Sequence, residues 1–190
     1  MAQQDDAKEC PPDKLSSAIE AARDDDRRGL KEIELLLETF PHDARLHFLR
    51  GSLLASQQHY GEARKAMQEA IDIAPDFAVA RFQLGFLELT SGDAAAAENT
   101  WAPLDQLAPD NPLRLFCIGL RHLIRDEFGA TVETLTEGMA LNTENPALNG
   151  DMQLIIDKAR ELIRAQGEGE EPTSSAHLLL QQYSAKNTRH

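Results

Sequence analysis

The chain is 190 residues long, 42% hydrophobic and 5% aromatic, and its 32 Asp and Glu against 19 Lys and Arg give a formal net charge of −13. Such an excess of carboxylates argues against nucleic acid or an anionic membrane surface as partner, because both are gripped by Lys and Arg. The length suffices to bury roughly 70% of the unfolded surface in one unit, and recurrent Ala, Leu, Glu, Gln and Arg with sparse Val and Ile predict an all-α fold.

The first residues, MAQQDDAKECPPDK, contain no basic flank leading into an apolar core, and nowhere do about 18 apolar residues run together. Neither a signal peptide nor a membrane span is predicted, residues 1–13 read as a flexible N-terminus, and a cytoplasmic location is expected. Cys10 and Cys117, the two cysteines, lie far apart in unlike surroundings with no C-x-x-C spacing. Free thiols are expected rather than a disulfide framework or a zinc site.

Residues 14–43 carry two helical runs, LSSAIEAA and RRGLKEIELLLETF, with Asp24, Asp25 and Asp26 in the turn between them. Three adjacent carboxylates could suggest a cation, but a solvated turn whose Asp caps the second helix is the commoner outcome. The segment reads as a divergent helical hairpin.

Three segments, 44–77, 78–111 and 112–145, then share one frame. Gly51, Gly85 and Gly119 stand 34 residues apart; Ala63 and Ala97 keep that interval, as do Met67, Trp101 and Leu135, and Pro75 and Pro109. Gly29, Ile33 and Pro41 bring the first hairpin into the same frame. Small residues let paired helices approach closely, and a bulky one fills the space between neighbours. Ala-Pro-Asp stops a helix, because Pro biases the residue before it away from the α region. Pro103 lies well inside the second helix of 78–111, where it removes a hydrogen bond and should kink or shorten that helix.

Residues 146–166 place Met152, Ile155, Ile156, Ala159, Leu162 and Ile163 on one helical face, with Asp157, Lys158, Arg160 and Glu161 opposite. A one-sided terminal helix of this kind covers the last apolar face of a repeat array, so a cap is predicted. Residues 167–190 follow as a linker, GEGEEPTSS, and a tail whose apolar cluster is Leu178, Leu179, Leu180 and Tyr183.

The 34-residue pattern of early Gly, small residue, bulky residue and closing Pro resembles the tetratricopeptide-repeat family over about residues 44 to 145. The resemblance implies a solenoid of antiparallel helix pairs, with the hairpin of 14–43 in front and the capping helix behind. The sequence departs from the pattern at Arg50, Thr131, Gly138 and Thr143, none of which destroys the repeat. The resemblance also implies that the first helices line a concave face and meet a polypeptide through fixed positions. On this chain those positions give Arg45, Phe48 and Ser52, then Val79, Phe82, Gln83, Phe86 and Leu89, and then Leu113, Phe116 and Leu120. Arg45 is the sole cation among them, which disfavours a carboxylate clamp of the kind that holds acidic chaperone termini. A groove of Phe and Leu suits an apolar or amphipathic segment. The same side chains would serve equally well as core beneath a neighbouring hairpin, the cap or the tail.

No phosphate-binding, nucleophile-elbow, zincin or dinucleotide motif is present, and the six histidines are scattered singly, with His47 and His122 reading as packing residues. No enzyme activity, cofactor or metal is expected. The expected function is protein binding, as an adaptor, assembly factor or chaperone; the alternative is a self-associating subunit whose groove is filled by its own C-terminal tail.

Overall fold

Polar caps, prolines and one recurring left-handed residue set where the helices begin and end. In the computed structural model, which describes residues 9–167, nine α-helices and one 3-10 turn follow one another, with no strand among the described residues. Sequential helices pack pairwise, so the fold is the expected all-α array of helix pairs. The chain divides into two compact units, Met1–Leu87 and Glu88–His190.

The first unit holds α1 (Pro12–Asp24), α2 (Asp26–Thr39), α3 (Ala44–Ser56), α4 (Tyr60–Ile73) and most of α5 (Ala78–Thr90). Pro12 opens α1 at a position where its missing N–H costs nothing. The chain straightens at Asp25, whose carboxylate accepts from the N–H groups of Arg27 and Arg28 at 2.8 and 3.1 Å. This is the expected Asp cap on the second helix. Gly29 of α2 sits where an added Cβ would overlap Cα and Cβ of Ala22 in α1, so the two backbones nearly touch. In the next pair Gly51 of α3 does the same work, its missing Cβ leaving room for Met67, whose Cγ would lie 2.6 Å away. Two apolar clusters result: Cys10, Ala18, Ile33, Phe40 and Leu46 around α1–α3, and Leu54, Ala63, Ala66, Met67, Ala70, Ile71, Ala80, Leu84 and Leu87 around α3–α5.

The second unit takes the end of α5 and adds α6 (Ala94–Trp101), a 3-10 turn (Ala102–Gln106), α7 (Pro112–Ile124), α8 (Phe128–Leu141) and α9 (Pro146–Gly167). α6 stops after 8 residues, two before Pro103, and the chain tightens into the 3-10 turn. The shortening expected from that proline is thus observed. Arg121 of α7 then reaches back to Asp105 in the turn, at 2.6 Å. Gly119 of α7 leaves room for Leu135 of α8, repeating the Gly51–Met67 contact at an interval of 68 residues. Where two earlier segments close on Pro, here Asn142 donates to Asn145 O and Asn149 Oδ1 at 2.7 and 2.8 Å and ties α8 to α9. α9 buries Met152, Ile155, Ile156, Ala159 and Leu162 and turns Asp157, Arg160 and Glu161 outward. Ile163, which periodicity assigns to the inner face, is instead 41% exposed.

One regularity is hidden in the sequence. Gln58, Gly92 and Asp126, each 34 residues from the next, all have positive φ, at 64°, 91° and 58°. At each, the next residue's N–H donates to a carbonyl five residues back (His59 to Leu54, Asp93 to Glu88, Glu127 to His122, all 2.9 Å). The left-handed residue itself donates three back, to Ala55, Leu89 and Leu123. This paired bond pattern is the Schellman stop, and it satisfies carbonyls that a helix end would leave bare.

Candidate functional site

Within the first unit, α1, α2 and α3 line an open apolar cavity of about 210 Å³. Its walls are Ile19 and Ala22 from α1 and Leu49 and Leu53 from α3, and Ile33 of α2, wholly buried, is also part of the lining. Ala22 is held small by the crossing with Gly29, and Ser52 stands where a larger side chain would fill the space. Ser52 Oγ donates to Phe48 O at 3.0 Å, so its proton is committed to its own helix and the oxygen remains an acceptor. Arg23, in the last turn of α1, completes the lining. Its side chain is exposed and has no ion-pair partner among the described residues. An engineered cavity of roughly 150 Å³ lined by aliphatic residues stays dry and admits benzene, so this one is large enough for a single aliphatic or aromatic side chain.

The residues expected to line a concave face divide into two groups. Arg45, Phe48, Ser52, Val79 and Gln83 are half-buried, all in the first unit; Phe82, Phe86, Leu89, Leu113, Phe116 and Leu120 are buried. Of the first group, only Ser52 reaches the cavity. Phe48 packs edge-on against Phe77 with ring centroids 5.3 Å apart. In α5 Phe82 and Phe86 stack at 6.1 Å. In the second unit Phe116 lies over Gly138, where an added Cβ would come within 2.8 Å of the ring.

Arg45 is engaged at home. Its guanidinium donates to both oxygens of Asp43, at 3.0 and 2.6 Å, and to Cys10 O at 2.8 Å, while Cys10 N–H donates to Asp43 Oδ2 at 2.6 Å. Asp43 also accepts from Arg45 N–H as the cap of α3. Burial pushes the Asp43 carboxyl up, but the Arg45 side chain, the two backbone donors and the guanidinium charge outweigh it and hold the carboxyl below its ordinary value. The group fastens the chain just before α1 to the start of α3.

His47 lies between two oxygens, Nε2 at 2.8 Å from Pro41 O and Nδ1 at 2.9 Å from Glu69, and His122 pairs with Glu127 at 2.5 Å. Both hold neighbouring segments together, as packing residues would. Cys117 is buried and its thiol is pushed up by that burial.

The concave-face positions that located Ser52 omitted Ile19, Ala22, Arg23 and Leu53, and the frame had placed Ile33 only as a packing residue. The same offsets, moved toward the N-terminus by whole repeats, fall on Ala18 and Ala21, beside Ile19 and Ala22 in α1 but not on them. The apolar tail at residues 177–183 lies outside the described residues.

Residues 44–77 match the family model for the tetratricopeptide repeat. The chain carries a tetratricopeptide repeat. That repeat contains α3 and α4, the hairpin whose first helix forms one wall of the cavity. No match was found among curated proteins. Among solved structures the fold is similar to residues 41 to the end of MamA from Desulfovibrio magneticus RS-1, with 17% identity, a TM-score of 0.56, and 87% of this chain and 99% of that one covered. It is similar in the same degree to a MamA RS-1 ArsTM double mutant, again at 17% identity and a TM-score of 0.56, covering 87% and 98%. At that identity the likeness speaks for the fold alone. Among the described residues no helix is long and apolar enough to cross a membrane.

Proposed function

We propose that this chain is a protein-interaction module, an adaptor, assembly factor or chaperone, that holds an apolar or amphipathic polypeptide segment on the face formed by α1 and α3. A fold of tetratricopeptide type supports protein binding in general. The observation that carries the finer reading is the apolar cavity of about 210 Å³ between those helices, bounded by Ile19, Leu49 and Leu53 and touching Ser52. An inserted side chain would gain roughly 1.5–3 kcal/mol from burial, enough to anchor a segment whose other contacts are nearly neutral.

Burial narrows the groove first drawn from the repeat frame. Phe82, Phe86, Leu89, Leu113, Phe116 and Leu120 are closed to solvent and are left out of the proposed contact. Val79, Gln83 and Phe48 remain accessible in part and can extend the contact beyond the cavity.

The test fills the cavity without touching the fold's crossings. Ser52→Leu, checked for folding by circular dichroism, is compared with the unmodified chain in captures from native extract by mass spectrometry. A partner enriched by the unmodified chain and lost with the folded variant supports the cavity as anchor. Retention of every partner by Ser52→Leu refutes it.

A further inference from the structure

An apolar cavity bordered by a residue whose charge is unpaired selects more than hydrophobicity. In the first unit Arg28 pairs with Glu32 at 3.3 Å, Arg45 with Asp43 at 2.6 Å and Arg50 with Glu34 at 3.8 Å, and Arg81 donates to Pro75 O at 2.9 Å. Arg23 does none of this, although Asp24, Asp25 and Asp26 follow it directly. Asp25 is spent on the cap of α2, and Asp26 Oδ2 accepts from Ser56 Oγ at 2.6 Å. Arg23 therefore borders the cavity with an exposed, unpaired side chain, while Asp25 and Asp26 serve backbone and hydroxyl donors.

We propose that the cavity takes a bulky apolar side chain of a partner helix that also carries a carboxylate, from Glu or Asp, about one helical turn away, and that Arg23 is the residue that reads this carboxylate. The inference rests on the cavity being the anchor site, and adds to it the charge of the partner. Three features make a carboxylate the matching group. Arg23 offers a fork of donors that a carboxylate oxygen pair fits. The apolar walls beside it supply no competing acceptor except Ser52 Oγ. On a helix, side chains three or four residues apart share a face, so one anchor and one carboxylate reach the cavity and its lip together. The net charge of −13 repels an acidic partner at long range, but that repulsion is largely screened beyond about 8 Å at physiological salt, whereas a contact at Arg23 is not. Arg23 also complements the carbonyl end of α1, a role that would be indifferent to what the partner carries.

The experiment uses the full chain and two fluorescein-labelled helical peptides with one leucine anchor each, one flanked at one-turn spacing by glutamate and its twin by glutamine, read by anisotropy at physiological salt. The glutamate peptide is expected to bind roughly two- to fivefold more tightly, the range of a partly exposed ion pair. In Arg23→Gln that ratio falls to about one, and in Arg23→Lys part of it returns. Ser52→Leu weakens both peptides. Equal binding of the two by the unmodified chain, both still sensitive to Ser52→Leu, overturns the role of Arg23 and leaves the anchor cavity standing. Binding of neither, or binding indifferent to Ser52→Leu, overturns the cavity reading and this inference with it. An unlabelled peptide copying residues 176–190 is added as competitor: if it displaces both probes at lower concentration than the glutamate peptide itself, the occupant is the chain's own C-terminal segment and the proposal fails.

Discussion

Replacing Gly29 by Ala tests the claim that a backbone crossing between α1 and α2 builds the floor of the cavity. The added methyl would overlap Cα and Cβ of Ala22, and its third neighbour, Ala22 N, would be 2.8 Å away. These are backbone-anchored atoms, so no rotamer change relieves the overlap and the two helices must part. Overpacking of this kind costs about 1–3 kcal/mol, against a gain of up to about 1 kcal/mol in helix propensity. At the upper end of that range, about 2 kcal/mol of net destabilisation remains. Gly61 is the control: it is also helical, in the first turn of α4, and an added Cβ meets nothing within 4 Å. Gly61→Ala should stabilise by about 0.5–1 kcal/mol. Urea denaturation followed by circular dichroism gives both values, and tryptophan fluorescence, from Trp101 alone, follows the second unit separately. If the two substitutions shift the midpoint in the same direction, the crossing is not as tight as described and the cavity floor rests on something else.

Asp43 should govern acid sensitivity. Because its folded-state value lies below the ordinary 3.8, its contribution is fully present above the ordinary value and is lost as pH falls through the depressed one. Asp43→Asn is expected to cost roughly 1–3 kcal/mol at neutral pH and to flatten the acid limb of a stability–pH series measured by urea midpoints; an unchanged acid limb refutes the assignment. Gln58→Gly should relieve a left-handed non-glycine residue and raise the stability measured by urea denaturation by about 0.5–1 kcal/mol, while Gly92→Ala at the equivalent turn should lower it. Thiol labelling should be slow at both cysteines, since burial pushes both thiols up and both are closed to solvent. Asp43→Asn should speed labelling of Cys10 and leave Cys117 unaffected, and rapid labelling of Cys117 in the unmodified chain would contradict its burial.

Much of the fold was legible because the repeat writes its closest contacts into the sequence. Gly51 with Met67 and Gly119 with Leu135 are pairs that a 34-residue period exposes, and the structure places each glycine against its bulky partner. The left-handed stops were not legible, since Gln58 and Asp126 are poor signals for positive φ and only Gly92 announces it. Their geometry is imposed by the helix pair that each turn must close. The burial of Phe82, Phe86, Phe116 and Leu120 was open for a different reason. A period tells which positions are equivalent, but an apolar residue on the inner helix face reads the same whether a partner or a neighbouring helix covers it.

The accessible cavity lies where the repeat is least regular. At Gly51 and Gly119 a bulky residue of the paired helix, Met67 or Leu135, occupies the space the glycine leaves. The first hairpin keeps its bulky residue, Ile33, in frame, but at the small-residue position of its second helix it has Gly29, which meets the small Ala22 of the first. Backbone then touches backbone at the crossing, and neither residue sends a side chain into the adjoining space toward α3, where Leu49, Ser52 and Leu53 face it. The void adjoins that crossing, with Ala22 in its lining. A large residue at position 22 would have to push α2 away at Gly29, so the small residue and the cavity are linked by the same crossing.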